Sequence, residues 1–169
     1  EIYGGPLLNS WLDRDLGLAG RLSLRDGSTR LVNVDRPLLR VPQLAIHLDR
    51  SVNDGLKLDK QRHLQPVWGL GDAREGDLIS FLEEESGLPA GQVTGWDLMT
   101  HSVEAPAYLG RDNELLAGPR MDNLLSVHAG VAALAGVAGH DLPYIPVLAA
   151  FDHEENGSQS DTGADGPLL

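Results

Sequence analysis

Apolar and polar residues alternate along the first part of the chain. Gly20-Arg21-Leu22-Ser23-Leu24 and Arg30-Leu31-Val32-Asn33-Val34 place apolar side chains at every second position, the pattern of a strand with one wet face. The Asp26-Gly27 pair between them accepts positive φ and predicts a hairpin. Residues 1–35 therefore read as β, with Trp11-Leu12-Asp13-Arg14-Asp15-Leu16 carrying charge inside an apolar frame. Pro37 and Pro42 should cut the following stretch into short pieces. Residues 51–76 are polar and rich in Gly, a long connection around a short strand at 64–68. A helix is predicted over 77–86. Asp77 can cap it, Leu78, Ile79 and Leu82 share a face, Gly87 and Pro89 end it, and Glu83-Glu84-Glu85 form its solvated side. Residues 93–103 return as strand, with Trp96 and Leu98 on one face.

From Asn123 the period lengthens. Leu124, Val127, His128, Val131, Leu134 and Ala138 recur at helical spacing, with Ala129, Gly130, Ala133 and Gly136 between them, predicting a tightly packed helix that ends near Gly139. Residues 144–151 are almost continuously apolar and predict a buried strand. Helix, strand and a polar loop in this order are α/β grammar, in which ligands sit at the carboxyl ends of strands. The expected organisation is a β-rich domain over residues 1–100 and an α/β domain over 101–169.

Composition narrows the function. A chain of 169 residues with 41% hydrophobic residues can bury a core in one large or two small domains. It has no apolar run of about 18 residues and no basic-then-apolar leader, so neither a membrane span nor a secretory signal is expected. The absence of Cys excludes disulfides and thiolate metal sites and points to the cytoplasm. A net charge of −12 argues against nucleic-acid binding, which needs clustered Lys and Arg. A first residue other than Met and an apolar end, Pro167-Leu168-Leu169, lead us to expect a piece of a longer polypeptide.

The chemistry concentrates in two places. Phe151-Asp152-His153-Glu154-Glu155-Asn156-Gly157-Ser158 sets adjacent carboxylates at the mouth of the predicted strand. Carboxylates crowded there are costly unless a positive charge lies between them, and a divalent metal meets that need. Gly118-Pro119-Arg120-Met121-Asp122-Asn123 puts another carboxylate just before the long helix. A two-metal hydrolase needs a carboxylate that bridges ions about 3.5–4 Å apart, further His, Asp or Glu ligands, and a free carboxylate as base. Asp122 suits the bridge, although a plain N-cap is an equal reading. One of Glu154 and Glu155 can bind metal and the other act as base, since neighbouring residues at a strand end point apart. Asp152 can stand behind the ligands, and His153 can orient a neighbour or meet substrate. His47, within the apolar run Leu44-Ala45-Ile46-His47-Leu48, reads on its own as a satisfied core or surface histidine.

Several blocks, taken in order, resemble the aspartyl aminopeptidase family of binuclear-zinc metallo-aminopeptidases. They are Tyr3-Gly4-Gly5, Trp11-Leu12-Asp13-Arg14-Asp15-Leu16 with Leu18-Ala19-Gly20-Arg21, Arg36-Pro37 with Leu44-Ala45-Ile46-His47-Leu48, Pro119-Arg120-Met121-Asp122-Asn123-Leu124, and Asp152-His153-Glu154-Glu155-Asn156-Gly157-Ser158 with Gly163-Ala164. The resemblance implies an α/β fold: part of a zinc-peptidase-type core, with residues 1–100 as a β-rich inserted dimerisation domain. It implies two zinc ions per subunit in the complete enzyme, Asp122 as bridging ligand, Glu155 as terminal ligand and Glu154 as general base. It makes His47 a substrate-binding residue that reaches the active site of a neighbouring subunit. It implies peptide substrates with an acidic N-terminal residue, and a homo-oligomer built from dimers, up to a dodecamer. The chain departs from the family pattern at Leu12, usually Phe, at Asn156, usually Val, and at Ser102-Val103-Glu104-Ala105-Pro106, where an Asp-Thr-Gln-Pro run is usual. Three family zinc ligands, an early His, a later Asp and a late His, have no counterpart within it.

Two other readings come from different classes. One is a non-catalytic oligomerisation module with an incomplete metal site. The other is a carbohydrate- or peptide-binding β domain using Trp11, Trp68 and Trp96, against which a sheet-core role for the three Trp is the simpler expectation.

Overall fold

The computed structural model describes residues 5–72 and 74–167, with Asn156 described by its backbone alone. Tyr3 and Gly4 of the first family-like block lie outside the described residues. Two compact units emerge: Leu7–Glu104, and Glu1–Pro6 with Ala105–Leu169.

In the first unit, β1 (Leu16–Leu24) is the central strand of an antiparallel sheet, flanked by β2 (Thr29–Leu39) and β3 (Val93–Ser102). The Asp-Gly hairpin forms as its sequence requires. Gly27 takes φ 84°, and Asp26 Oδ1 accepts from the Ser28 N–H at 2.9 Å and the Ser28 hydroxyl at 2.6 Å. Those donors, the hydroxyl first, hold the Asp26 carboxyl below the usual carboxylate range. Helix α1 (Asp77–Glu85) lays Leu78, Ile79 and Leu82 against Leu18, Leu22, Val32, Val34 and Val93. The sheet thus hides one face and wets the other, where Arg21 pairs across strands with Asp97 at 3.9 Å while Leu31 and Met99 stay exposed.

Several expectations need correction. Pro37 does not end its strand: β2 runs through to Leu39 because it is an edge strand and Pro37 falls in the register shift between the paired residues Val34 and Leu39. The strand expected at 64–68 reduces to one bridge between Arg40 and Val67. Gly76, left-handed at φ 89°, caps α1 in place of Asp77, whose carboxylate accepts from the Arg74 N–H. Trp68 and Trp96 are 43% and 49% exposed, so neither is sheet core; Trp68 packs edge-on against Phe81 at 5.5 Å.

Glu83 is the sharpest correction to the solvated acidic face. It is only 4% exposed, and its carboxylate accepts from the Val93 N–H at 2.9 Å. The N–H groups of Val93, Gly91 and Gln92 together hold its pKa below the usual glutamate range. Helical spacing carries the reason, since Glu83 lies four residues after Ile79 and shares its inward face.

In the second unit, β4 (Ala107–Leu109) and β5 (Leu115–Ala117) form a short hairpin, followed by α2 (Met121–Gly136). The helix ends three residues before the expected Gly139 and buries none of its side chains. Residues 145–150 are not a strand. A strand exists by pairing, and among the described residues none hydrogen-bonds to this run, which leaves Ile145 88% and Val147 78% exposed. The run still meets α2: a Cβ on Gly130 would come within 2.7 Å of Leu148 Cδ1, so the small residue makes room for that contact.

Candidate metal centre

Asp122 stands at the entry to α2, where the backbone is not yet helical (φ −81°, ψ 116°) and the peptide bond to Asn123 is cis. The N-cap is Arg120, left-handed at φ 61°, whose carbonyl accepts from the Leu124 N–H at 3.3 Å. The Asp122 carboxylate makes no capping bond among the described residues, so the N-cap reading gives way to a carboxylate left uncommitted at a helix start.

Glu154 and Glu155 lie in a single 3-10 turn, Glu154–Asn156, bracketed by left-handed residues: His153 at φ 61° before it and Gly157 at φ 91° after it. Both Glu residues are exposed. Neither carboxylate has a hydrogen bond or ion pair to a side chain among the described residues, so their directions follow from the backbone. That backbone is stitched to the return of the loop. The Asp152 N–H donates to the Thr162 carbonyl at 3.1 Å, the Ser158 N–H to the His153 carbonyl at 2.9 Å, and the Asp165 N–H to the Ser158 carbonyl at 3.1 Å. Gly163 is buried, and a Cβ there would overlap the Ser158 carbonyl, which accounts for Gly at this position.

His153 adds a side-chain tie. Its Nδ1 lies 2.6 Å from the Ser160 hydroxyl and 3.5 Å from that of Thr162, and its Nε2 lies 3.8 Å from Asp152 Oδ2. Sequence reasoning missed Ser160 and Thr162 because they come seven and nine residues after His153, beyond any local spacing rule. His47 belongs to the first unit, in an exposed turn among exposed Leu44, Ile46 and Leu48. That rules out a core histidine.

Asp122, Glu154 and Glu155 offer hard oxygen donors of the kind that bind divalent cations, with no competing cationic partner among the described residues. In kind they fit zinc. In number they do not complete a site: among the described residues no three His, Asp or Glu side chains come together so as to hold an ion. No helix among them is long and apolar enough to cross a membrane.

Comparison with known proteins identifies the family. A family model described as aminopeptidase I zinc metalloprotease (M18) matches residues 1–169. The chain is 88% identical over 173 residues to a protein of Streptomyces avermitilis named probable M18 family aminopeptidase 2, a match covering 100% of this chain and 40% of that one. The protein of the same name from Mycobacterium tuberculosis is 48% identical over 178 residues, covering 100% of this chain and 41% of its own. Among solved structures, the cryo-EM structure of the Ape4 and Nbr1 complex superposes with a TM-score of 0.88 at 31% identity, covering 100% of this chain and 37% of that one. The S. cerevisiae mApe1 dodecamer gives a TM-score of 0.71 at 25% identity, with 99% of this chain and 39% of that one covered. The chain thus spans about 40% of the length of the curated relatives it matches. With a match along its full length, this chain belongs to the aminopeptidase I zinc metalloprotease family, M18.

Proposed function

We propose that this chain is the portion of a metallo-aminopeptidase that carries the general base and two ligands of a two-zinc site. The intact enzyme then removes the N-terminal residue of peptides, with acidic residues, Asp or Glu, preferred. The observation that carries this reading is the turn Glu154–Asn156: two carboxylates without side-chain partners, fixed by their backbone, in a chain of the M18 family. Asp122, free of a capping role, would hold zinc as the bridging ligand, and Glu155 as a terminal one. When bound, the two zinc ions supply the positive charge that polarises the scissile carbonyl and makes water a better nucleophile. Glu154 takes the proton from the attacking water and returns it to the leaving amine.

The zinc-peptidase-type α/β core is only partly present in residues 101–169, and the sheet unit is the inserted dimerisation domain. Exposed Leu31 and Met99 on its open face support a surface that a second copy covers. In this reading His47, exposed beside Leu44, Ile46 and Leu48, is the substrate-binding residue offered to a neighbouring subunit. The assembly is a homo-oligomer of dimers, up to the dodecamer described for S. cerevisiae mApe1, and it works in the cytoplasm.

In the intact aminopeptidase, Glu154→Gln should lower kcat by about 10²–10⁴ with zinc content unchanged. Full turnover in that variant would end the reading. Release of Asp faster than Leu from matched N-terminal aminoacyl anilides checks the acidic preference. The second reading, a non-catalytic oligomerisation module, is favoured by the lack of a three-donor group among the described residues. Elemental analysis of the intact protein separates the two, since zinc near two per subunit excludes the module.

A further inference from the structure

The two carboxylates of the turn depend on the backbone that carries them. Neither has a hydrogen bond or ion pair to a side chain among the described residues, so their aim is inherited from residue 153, where the chain enters the left-handed region at φ 61° and reverses. A non-Gly residue adopts that conformation only when its surroundings hold it there. His153 is tied to the loop by its backbone and by its ring. Its carbonyl accepts from the Ser158 N–H at 2.9 Å, and its own N–H donates to Asp152 Oδ1 at 3.0 Å. Its Nδ1 lies 2.6 Å from the Ser160 hydroxyl, and its Nε2 faces Asp152 Oδ2 at 3.8 Å. The tie runs through Nδ1, since Nε2 lies beyond hydrogen-bond distance of the Asp152 carboxylate. Its anchor is itself fixed, because the return 158–166 is closed by the Gly163 N–H on the Ser160 carbonyl at 3.1 Å and the Asp165 N–H on the Ser158 carbonyl at 3.1 Å.

We propose that His153 is a positioning residue: its ring, bonded to Ser160, locks the left-handed turn that aims Glu154 and Glu155. The proposal rests on the reading of Glu154 as base and Glu155 as zinc ligand. Asn is the informative replacement. Its Oδ1 falls where Nδ1 stands and can accept from Ser160, and Asn tolerates the left-handed region.

The test uses the intact zinc-loaded aminopeptidase with His153→Ala, His153→Asn, Ser160→Ala and the Ala/Ala double variant. His153→Ala should lower kcat by about tenfold or more with KM within about twofold, and should speed zinc loss to a chelator. Ser160→Ala should show the same split. The double variant should be no worse than His153→Ala, because both remove one bond. His153→Asn should recover most of kcat and of zinc retention. Unchanged kcat and zinc retention in His153→Ala overturn the proposal, as does a His153→Asn variant no better than Ala. A kcat loss matched by a loss of folded protein in thermal melts overturns it too. Glu154→Gln run alongside separates the two readings. If it keeps full turnover, the base assignment fails, while zinc retention still reports on the lock.

Discussion

Every buried apolar side chain among the described residues lies in Leu7–Glu104, such as Leu16 and Leu22 in β1 and Leu82 in α1; the described part of Ala105–Leu169 has none. The second region is the richer of the two in apolar sequence, yet α2 leaves Leu124, Leu125, Val131 and Leu134 in water, and residues 144–148 stay exposed beside it. A sheet with one wet face needs a single amphipathic helix to finish its core, and α1 lies close by in the chain. A helix apolar on several sides and an apolar run with no strand partner need more neighbours than this region supplies. The loop around Glu154 and Glu155 in the second region is held instead by polar ties, backbone hydrogen bonds and the His153 ring.

The comparison breaks most readily at the core. In the 169-residue chain, Leu82→Ala should cost about 2–5 kcal/mol, the range for removing a fully buried Leu. Leu125→Ala on α2 should cost under about 1 kcal/mol, as expected at a position that is 57% exposed. Urea unfolding followed by circular dichroism measures both. Equal costs would mean that α2 is packed as tightly as α1 and that the two regions do not differ.

Glu83 is the one buried carboxylate among the described residues. The donors around Glu83, Val93 N–H first, favour its ionised form in the folded state. Its folded pKa is therefore lower than its unfolded one. Above the ordinary glutamate range, about pH 4.3, the stabilisation is fully present; as pH falls through that range and toward the lower folded value, the unfolded chain takes up the proton first and the stabilisation is lost. Glu83→Gln should lower the thermal midpoint by several degrees at neutral pH. It should also flatten the fall of the midpoint between about pH 5 and pH 3. A parallel pH profile in the variant would show that the carboxylate contributes nothing by being ionised.

Much of the sheet region was legible because its signals are local. Alternation gave β1, β2 and β3, Asp26-Gly27 gave the hairpin, and Leu78, Ile79 and Leu82 gave the buried face of α1. The misses there were long-range. Whether Glu83 faces water depends on residues 91–93 folding back over it, and whether Pro37 ends a strand depends on that strand lying at an edge. In the second region the period of α2 was legible but its burial was not, because period reports a face and not what covers it. Residues 144–151 show the same limit: apolar content signals demand for a partner, and pairing alone makes a strand. At the candidate site the residue types and their order were legible in the Asp152-His153-Glu154-Glu155 run and at Asp122. The ties to Ser160 and Thr162, and the absence of a capping bond at Asp122, were set by the return of the loop and by the backbone at Arg120.

The smallest effect is expected at the rim of α1. Arg36 pairs with Glu85 and lies 5.9 Å from the centre of the Phe81 ring, joining β2 to the last turn of the helix. Both side chains stay partly in water, so ordering two long groups offsets much of the attraction. Arg36→Gln should therefore cost under about 1 kcal/mol, and that cost should shrink in about 0.5 M salt as screening shortens the reach of the charges. Leu82→Ala should show no such salt dependence, because the loss there is apolar contact. If the Arg36 variant cost as much as the Leu82 variant, α1 would be held by its charged rim and not by the six-residue cluster beneath it. The sheet region would then owe its order, like the loop of Glu154 and Glu155, to polar ties.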